Sequence, residues 1–156
     1  MSSHSHTYPP GLQDIIELFQ GLPEIERREM LVTYAENSAK CAPAEGETFD
    51  LEDIRKDEEC TDTVGIHLAA GDDRRVSFKV SLGPEVQTLT RAMTAILCRG
   101  LNGTPAQDVL DVPADFVPKI VGAELVRLRS QTVYYVLTRM KSAVKVYLNR
   151  LRASAG

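Results

Sequence analysis

The chain has 156 residues, 43% of them hydrophobic and 26% charged, which describes one soluble domain with a single core and excludes a large multi-domain enzyme. No stretch approaches the roughly 18 uninterrupted apolar residues of a membrane helix, and the opening Met1-Ser2-Ser3-His4-Ser5-His6 lacks the basic region and apolar run of a secretory signal, so the expected location is cytoplasmic. The net charge of −4 is unevenly divided: residues 1–73 carry 17 acidic and 5 basic groups, whereas residues 74–156 carry 5 acidic and 13 basic. With 6% aromatics and an acidic half that would repel phosphates, no nucleic-acid partner and no membrane partner is expected.

Residues 1–11 read as a flexible N-terminal tail ending in Tyr8-Pro9-Pro10-Gly11, followed by a single domain over 12–156. Leu12, Ile15, Ile16 and Phe19 recur at helical spacing, Gly21 stops that helix, and Pro23 suits the first position of a second helix running to about Lys40. Leu31, Tyr34, Ala35 and Ser38 form its inward side before Pro43 breaks the pattern. Residues 42–59 contain Gly46 and eight acidic side chains, and read as a long surface connection.

Val64, Ile66 and Leu68 then alternate with Gly65 and His67, and beyond a turn at Gly71-Asp72-Asp73 the residues Val76, Phe78, Val80 and Leu82 alternate with polar ones. This predicts an antiparallel hairpin with one apolar face. Val86, Leu89, Met93, Ile96 and Leu97 return to helical spacing until Gly100. Thr104-Pro105-Ala106-Gln107 reads as a capping box opening a short helix, and Pro113 and Pro118 bracket another short piece around Phe116. A last helix carries the stripe Val133, Val136, Leu137, Met140, Val144, Tyr147, Leu148 and Leu151. Segregation of a small antiparallel sheet from its helices is an α+β pattern.

The three cysteines, Cys41, Cys60 and Cys98, are too few and too far apart for a disulfide framework or a zinc site, and no metal or cofactor is expected. Cys41, at the end of the second helix, and Cys98, outside the apolar stripe of its helix, read as partly buried structural thiols. Cys60 lies where the charged connection gives way to the first strand of the hairpin, a place at which a loop can present a side chain. His67 reads as a surface or second-layer side chain, since spacing places no carboxylate or cysteine beside it. His4 and His6 lie in the tail, and Lys141, Lys145, Arg150 and Arg152 read as the solvent side of the last helix.

The run Glu59-Cys60-Thr61-Asp62-Thr63-Val64-Gly65 resembles the G-C-x-S-x-V-W pattern of the SufE family, with cysteine and valine kept and Glu59, Asp62 and Gly65 at the departures. Asn102-Gly103-Thr104-Pro105 resembles the family's Y-N-G-x-T-P compressed by one residue, Asp115-Phe116 falls where the family has P-x-D-F, and Arg129, Arg139 and Lys141 match by spacing its S-R-x-N-G-L and R-I-K motifs. Over about residues 12–145 the chain thus resembles a divergent SufE-family sulfur acceptor, with Leu128, Gln131 and Thr132 as further departures.

The resemblance implies a SufE/IscU-like α+β fold and a sulfur relay in which a SufS-type cysteine desulfurase hands persulfide sulfur to Cys60, for delivery toward iron–sulfur cluster assembly on a SufBCD-type scaffold. Cys60 would be the covalent carrier in a non-enzymatic transfer partner that stimulates the desulfurase. Arg129, Glu59 and Asp62 would meet that partner. Asp57, Glu58, Glu59 and Asp62 crowd negative charge around Cys60 and should disfavour its thiolate, so docking, or a basic group such as Arg129, is expected to supply the missing activation. The alternative is a degenerate member that binds or regulates a desulfurase or scaffold without carrying sulfur. A cysteine hydrolase is disfavoured because His67, seven residues along an extended strand, is too far to pair locally with Cys60.

Overall fold

A computed structural model describes residues 8–56 and 62–155. The chain runs through helices α1 (Pro10–Gln20) and α2 (Glu24–Glu36), a 3-10 turn (Ser38–Cys41), strands β1 (Leu51–Lys56), β2 (Thr63–Ala70) and β3 (Arg75–Leu82), and helix α3 (Thr88–Gly100). It continues through β4 (Thr104–Pro105), α4 (Ala106–Leu110), a second 3-10 turn (Ala114–Phe116), α5 (Val117–Val121) and α6 (Ala123–Ala155). The strands form one antiparallel sheet in the order β1-β2-β3-β4. Val64, Ile66 and Leu68 on β2 and Val76, Phe78 and Val80 on β3 supply its inward face, which shares a core with Met93 and Ile96 of α3 and Val136 and Met140 of α6. The expected α+β class and hairpin are therefore observed.

Helix α3 is the centre of the fold, packed against α1, α2, α6 and β3. A helix enclosed on several sides buries more than one stripe. Thr90, Ala92, Thr94, Ala95 and Cys98 are accordingly buried beside the expected Met93, Ile96 and Leu97.

Five expectations need correction. The acidic connection 42–59 contains β1, which pairs with β2 from Leu51↔Leu68 to Lys56↔Thr63. On the face that pairs beside Val64, Ile66 and Leu68 the strand carries one apolar residue, Leu51, followed by Asp53 and the exposed Arg55, which hides the strand period. Helix α2 ends at Glu36, because Asn37 leaves helical geometry and the chain tightens into the 3-10 turn before Pro43. Structure also starts earlier than expected: α1 opens with Pro10 at its first position, and Tyr8 is buried against Phe116 with its ring edge-on at 5.9 Å and its hydroxyl donating to Asp115. Burial and that carboxylate push the Tyr8 phenol up to about 12. Thr104 does not cap α4; it pairs with Val76 as the short strand β4. Lys141 points inward enough to donate to the Val112 carbonyl, so of the four basic residues expected on the solvent side of the last helix Lys145, Arg150 and Arg152 are exposed.

Candidate functional site

Cys60 and Glu59 fall between the end of β1 and Asp62, outside the described residues. The described frame around that segment begins with Asp62. One carboxylate oxygen accepts the Thr63 N–H at 2.7 Å, and the other accepts the Glu85 N–H at 2.8 Å. The Gly83 N–H donates to the Thr63 carbonyl at 2.9 Å, so the start of β2 is tied to the β3–α3 connection by backbone and side chain together. Gly83 must lack a side chain, since a Cβ there would come within 2.1 Å of the Asp62 carboxyl carbon. Asp62, standing where the family pattern has serine, therefore acts as a two-handed clamp that a hydroxyl could imitate only in part.

The same connection is held from two further helices. Arg91 of α3 donates to the carbonyls of Gly83, Pro84 and Val86 at 2.9–3.2 Å. Arg129 of α6 donates to Gln87 Oε1 at 3.2 Å. Arg129 is the one residue of α6 with non-helical backbone angles, φ −136° and ψ 41°, and so marks a kink in the helix. It is exposed, and with Arg28, Leu31, Val32, Leu89 and Leu125 it lines an open groove of about 580 Å³. A neighbouring hollow of about 660 Å³ shares Arg28, Leu31 and Leu125 and reaches Leu128. Val32 and Leu128, 48% and 59% exposed, leave apolar surface on this side.

Beneath β1 and β2 lies Arg139, 3% exposed. Its guanidinium donates to the carbonyls of Asp53 at 2.7 Å and Val64 at 2.9 Å, to the Asp53 carboxylate at 3.3 Å and to the Tyr135 hydroxyl. A buried arginine is tolerated only when its donors find acceptors, and here α6 joins both strands that lead into and out of residues 57–61. Sequence spacing matches Arg139 to a family motif without giving it this role; the inward Asp53 is the available signal.

His67 is 5% exposed rather than superficial. Its Nδ1 lies 2.7 Å from Glu52 Oε2 on β1 and its Nε2 lies 3.0 Å from Ser81 Oγ on β3, while the Phe49 ring lies 5.1 Å away. The two ring nitrogens thus each have a hydrogen-bond partner, one on β1 and one on β3. This chain fastens three strands on their outer face, and it explains Gly65, where the family pattern has tryptophan: a Cβ at 65 would meet Ser81 Oγ at 2.4 Å and Ile54 Cγ1 at 2.9 Å. The remaining motifs are scaffold. Gly103, at φ +74°, turns the chain from α3 into β4, a conformation that favours glycine, and Asp115-Phe116 anchors Tyr8.

Among the described residues no group of three or more His, Cys, Asp or Glu is arranged to hold a metal ion, and no helix is long and apolar enough to cross a membrane. Residues 13–144 match the SufE family, described as an Fe-S metabolism associated domain. An uncharacterized SufE-like protein of Mycobacterium tuberculosis is 28% identical over 138 residues, covering 88% of this chain and 93% of that one. SufE-like protein 1, chloroplastic/mitochondrial, of Arabidopsis thaliana is 29% identical over 109 residues, covering 69% of this chain and 27% of that longer protein. The solution structure of a hypothetical protein from Thermus thermophilus superposes with a TM-score of 0.70 at 26% identity, covering 91% of this chain and 98% of that one. The N-terminal part of a NifU-like protein from Brucella abortus shares the fold, with a TM-score of 0.57 at 14% identity over 76% of this chain and 92% of that one.

Proposed function

Because the chain belongs to the SufE family and so has a role in iron–sulfur metabolism, we propose that it is a cytoplasmic sulfur acceptor with Cys60 as carrier and a SufS-type cysteine desulfurase as donor. The desulfurase holds a sulfane sulfur on its own cysteine. The Cys60 thiolate attacks the terminal sulfur of that persulfide, a new S–S bond forms on Cys60, the donor S–S bond breaks, and the desulfurase thiolate leaves. No net oxidation occurs, so the acceptor needs only an accessible, ionisable thiol and a dock. A scaffold of the SufBCD type would receive the sulfur next.

The observation that carries this reading is the shared attachment of Asp62 and Arg129 to one connection. Asp62, two residues after Cys60, clamps Glu85, while Arg129, at the position of the family's arginine, holds Gln87 beside an apolar groove. A desulfurase seated on that groove would meet the Arg129 charge beside the connection that Asp62 clamps, and a positive charge is the electrostatic help a thiolate needs. Arg129, Asp62 and Glu59 are then the partner-facing residues, with Asp62 also serving as clamp.

The test is to incubate the protein with a cysteine desulfurase and cysteine and read intact mass. Wild type should gain the mass of one sulfur atom and Cys60→Ser should not. Persistence of the label in Cys60→Ser would move the carrier to another cysteine, and no label with faster desulfurase turnover would replace transfer by regulation.

A further inference from the structure

Strand β1 closes one side of the sheet, and among the described residues no strand lies beyond it. The backbone groups that face this open edge are fixed by the register. The Gly83 N–H donates to the Thr63 carbonyl at 2.9 Å between β3 and β2, and bonded and non-bonded pairs alternate along an antiparallel ladder. Residues 63, 65 and 67 therefore turn their N–H and carbonyl groups toward β3. Val64, Ile66 and Leu68 turn theirs toward Arg55, Asp53 and Leu51 of β1. That leaves the backbone of Glu52, Ile54 and Lys56 facing outward, where no backbone–backbone hydrogen bond is made among the described residues.

Proteins commonly guard such an edge with proline or with charges that repel an incoming strand. The charges of β1 do the opposite toward a copy of itself. Its sequence Leu51-Glu52-Asp53-Ile54-Arg55-Lys56 sets two acidic residues before the isoleucine and two basic ones after it. Laid antiparallel on itself about Ile54, the strand puts Asp53 opposite Arg55 and Glu52 opposite Lys56, each pair occurring twice by symmetry. Ile54 meets Ile54 at the centre, and this side chain is 55% exposed. Arg55 and Glu52 are exposed as well, and Asp53 is partly so. Opposite charges directly across a ladder are favourable and like charges are not. The neighbouring registers with the same outward groups centre on Asp53 or on Arg55, and set carboxylate on carboxylate or guanidinium on guanidinium. A shift of a single residue would bring the outward groups against ones already bonded to β2. One pairing satisfies both backbone and charge.

We propose that β1 is a self-association edge, to which a second copy of this chain adds its own β1 in antiparallel register about Ile54. The two sheets become one continuous sheet across a two-fold axis. Each copy offers the same patch to the other, so the contact is isologous and closes at two copies. The strand has 6 residues, which is small for a stable interface, so the dimer is weak, with a dissociation constant on the order of 100 µM. Strand β1 ends at Lys56, directly before residues 57–61, so the pairing also steadies the approach to that segment. It does not depend on any role given to Cys60.

The test is sedimentation equilibrium of the full chain from about 1 µM to about 1 mM, with a reductant present to exclude intermolecular disulfides. Wild type should pass from monomer to dimer within that range. Ile54→Lys and Ile54→Glu each set like charges at the centre of the pairing and should each weaken the dimer by about tenfold or more. An equimolar mixture of the two variants should associate again, which separates a repelled edge from a damaged fold. Between dilute and concentrated wild type, exchange of the Glu52 and Ile54 amide protons should slow. Those of Asp53 and Arg55, already bonded to β2, should not change. A chain that stays monomeric throughout, a dimer indifferent to both substitutions, or a mixture that fails to associate would each overturn the proposal.

Discussion

Cys60 and Cys41 both sit within the acidic half of the chain, yet their surroundings are built differently. The sequence neighbours of Cys60 are Asp57, Glu58, Glu59 and Asp62, all of the sign that opposes a thiolate. Cys41 borrows its environment from distant parts of the chain, an S–H from α3 and an ammonium from β3. The fold lowers the Cys41 thiol, whereas the proposed reading leaves the activation of Cys60 to a partner. For a sulfur carrier that arrangement is useful, because a thiol that ionises only in the docked complex does not spend its sulfur on, or lose its nucleophile to, passing oxidants. The two regions also differ in support, since β1 and β2 rest on Arg139 and Asp62, whereas Cys98 belongs to the core and Cys41 packs against it.

The largest effect should come from Arg139→Leu, which takes the donor from two strand carbonyls and leaves the Asp53 carboxylate with Arg55 alone, and should cost about 3–5 kcal/mol of unfolding free energy. Hydrogen exchange should rise in β1 and the start of β2 more than in α3; a uniform rise would erase the distinction in support. Next is Gly83→Ala, expected to cost about 1–3 kcal/mol because its Cβ overlaps the clamped Asp62 carboxylate. In a double-mutant cycle by chemical denaturation, Asp62→Ala should absorb most of that cost, and simple additivity of the two would refute the clamp.

Arg129→Ala should leave unfolding unchanged and weaken the desulfurase complex by roughly tenfold, or about 1.4 kcal/mol, measured as the concentration needed for half-maximal sulfur loading. Equal loading curves would remove Arg129 from the dock. The smallest effect is kinetic and bears most directly on the comparison. Alkylation of Cys41 should rise through a midpoint of about pH 7 and then level off, since its thiolate is already dominant above that value. Alkylation of Cys60 in the free protein should still be climbing past about pH 8.5, the ordinary thiol range. At neutral pH the difference should be only several-fold, because a less basic thiolate is also a weaker nucleophile. Coincident profiles would mean that the Cys60 thiol is lowered as well, so that its acidic neighbours do not set its behaviour.

Local pattern and residue choice are enough for the hairpin and for most of α6, because each shows its burial as a single period, and for the existence of α3, whose apolar stripe marks only part of what it buries. The same information marks the family through short motifs, several of which prove to be scaffold: Gly103 is needed for a left-handed turn and Asp115 for holding Tyr8. What escapes is everything whose partner is remote in the chain. Strand β1 has no apolar alternation because its inward Asp53 is neutralised by Arg139, 86 residues away. His67 lacks a carboxylate until strand register sets Glu52 and Ser81 on either side of it.

By itself, then, the sequence determined an α+β fold of the SufE family, an odd set of three cysteines, and a division into acidic and basic parts. Only the tertiary structure decided how that charge is used. Packing brings Arg139 under the strands, Arg129 to the connection clamped by Asp62, and Lys79 and Cys98 to Cys41. The physical reason is range: propensity and periodicity act over a few residues, whereas the field at a thiol is set by whatever lies within several ångströms of it, wherever in the chain that group began.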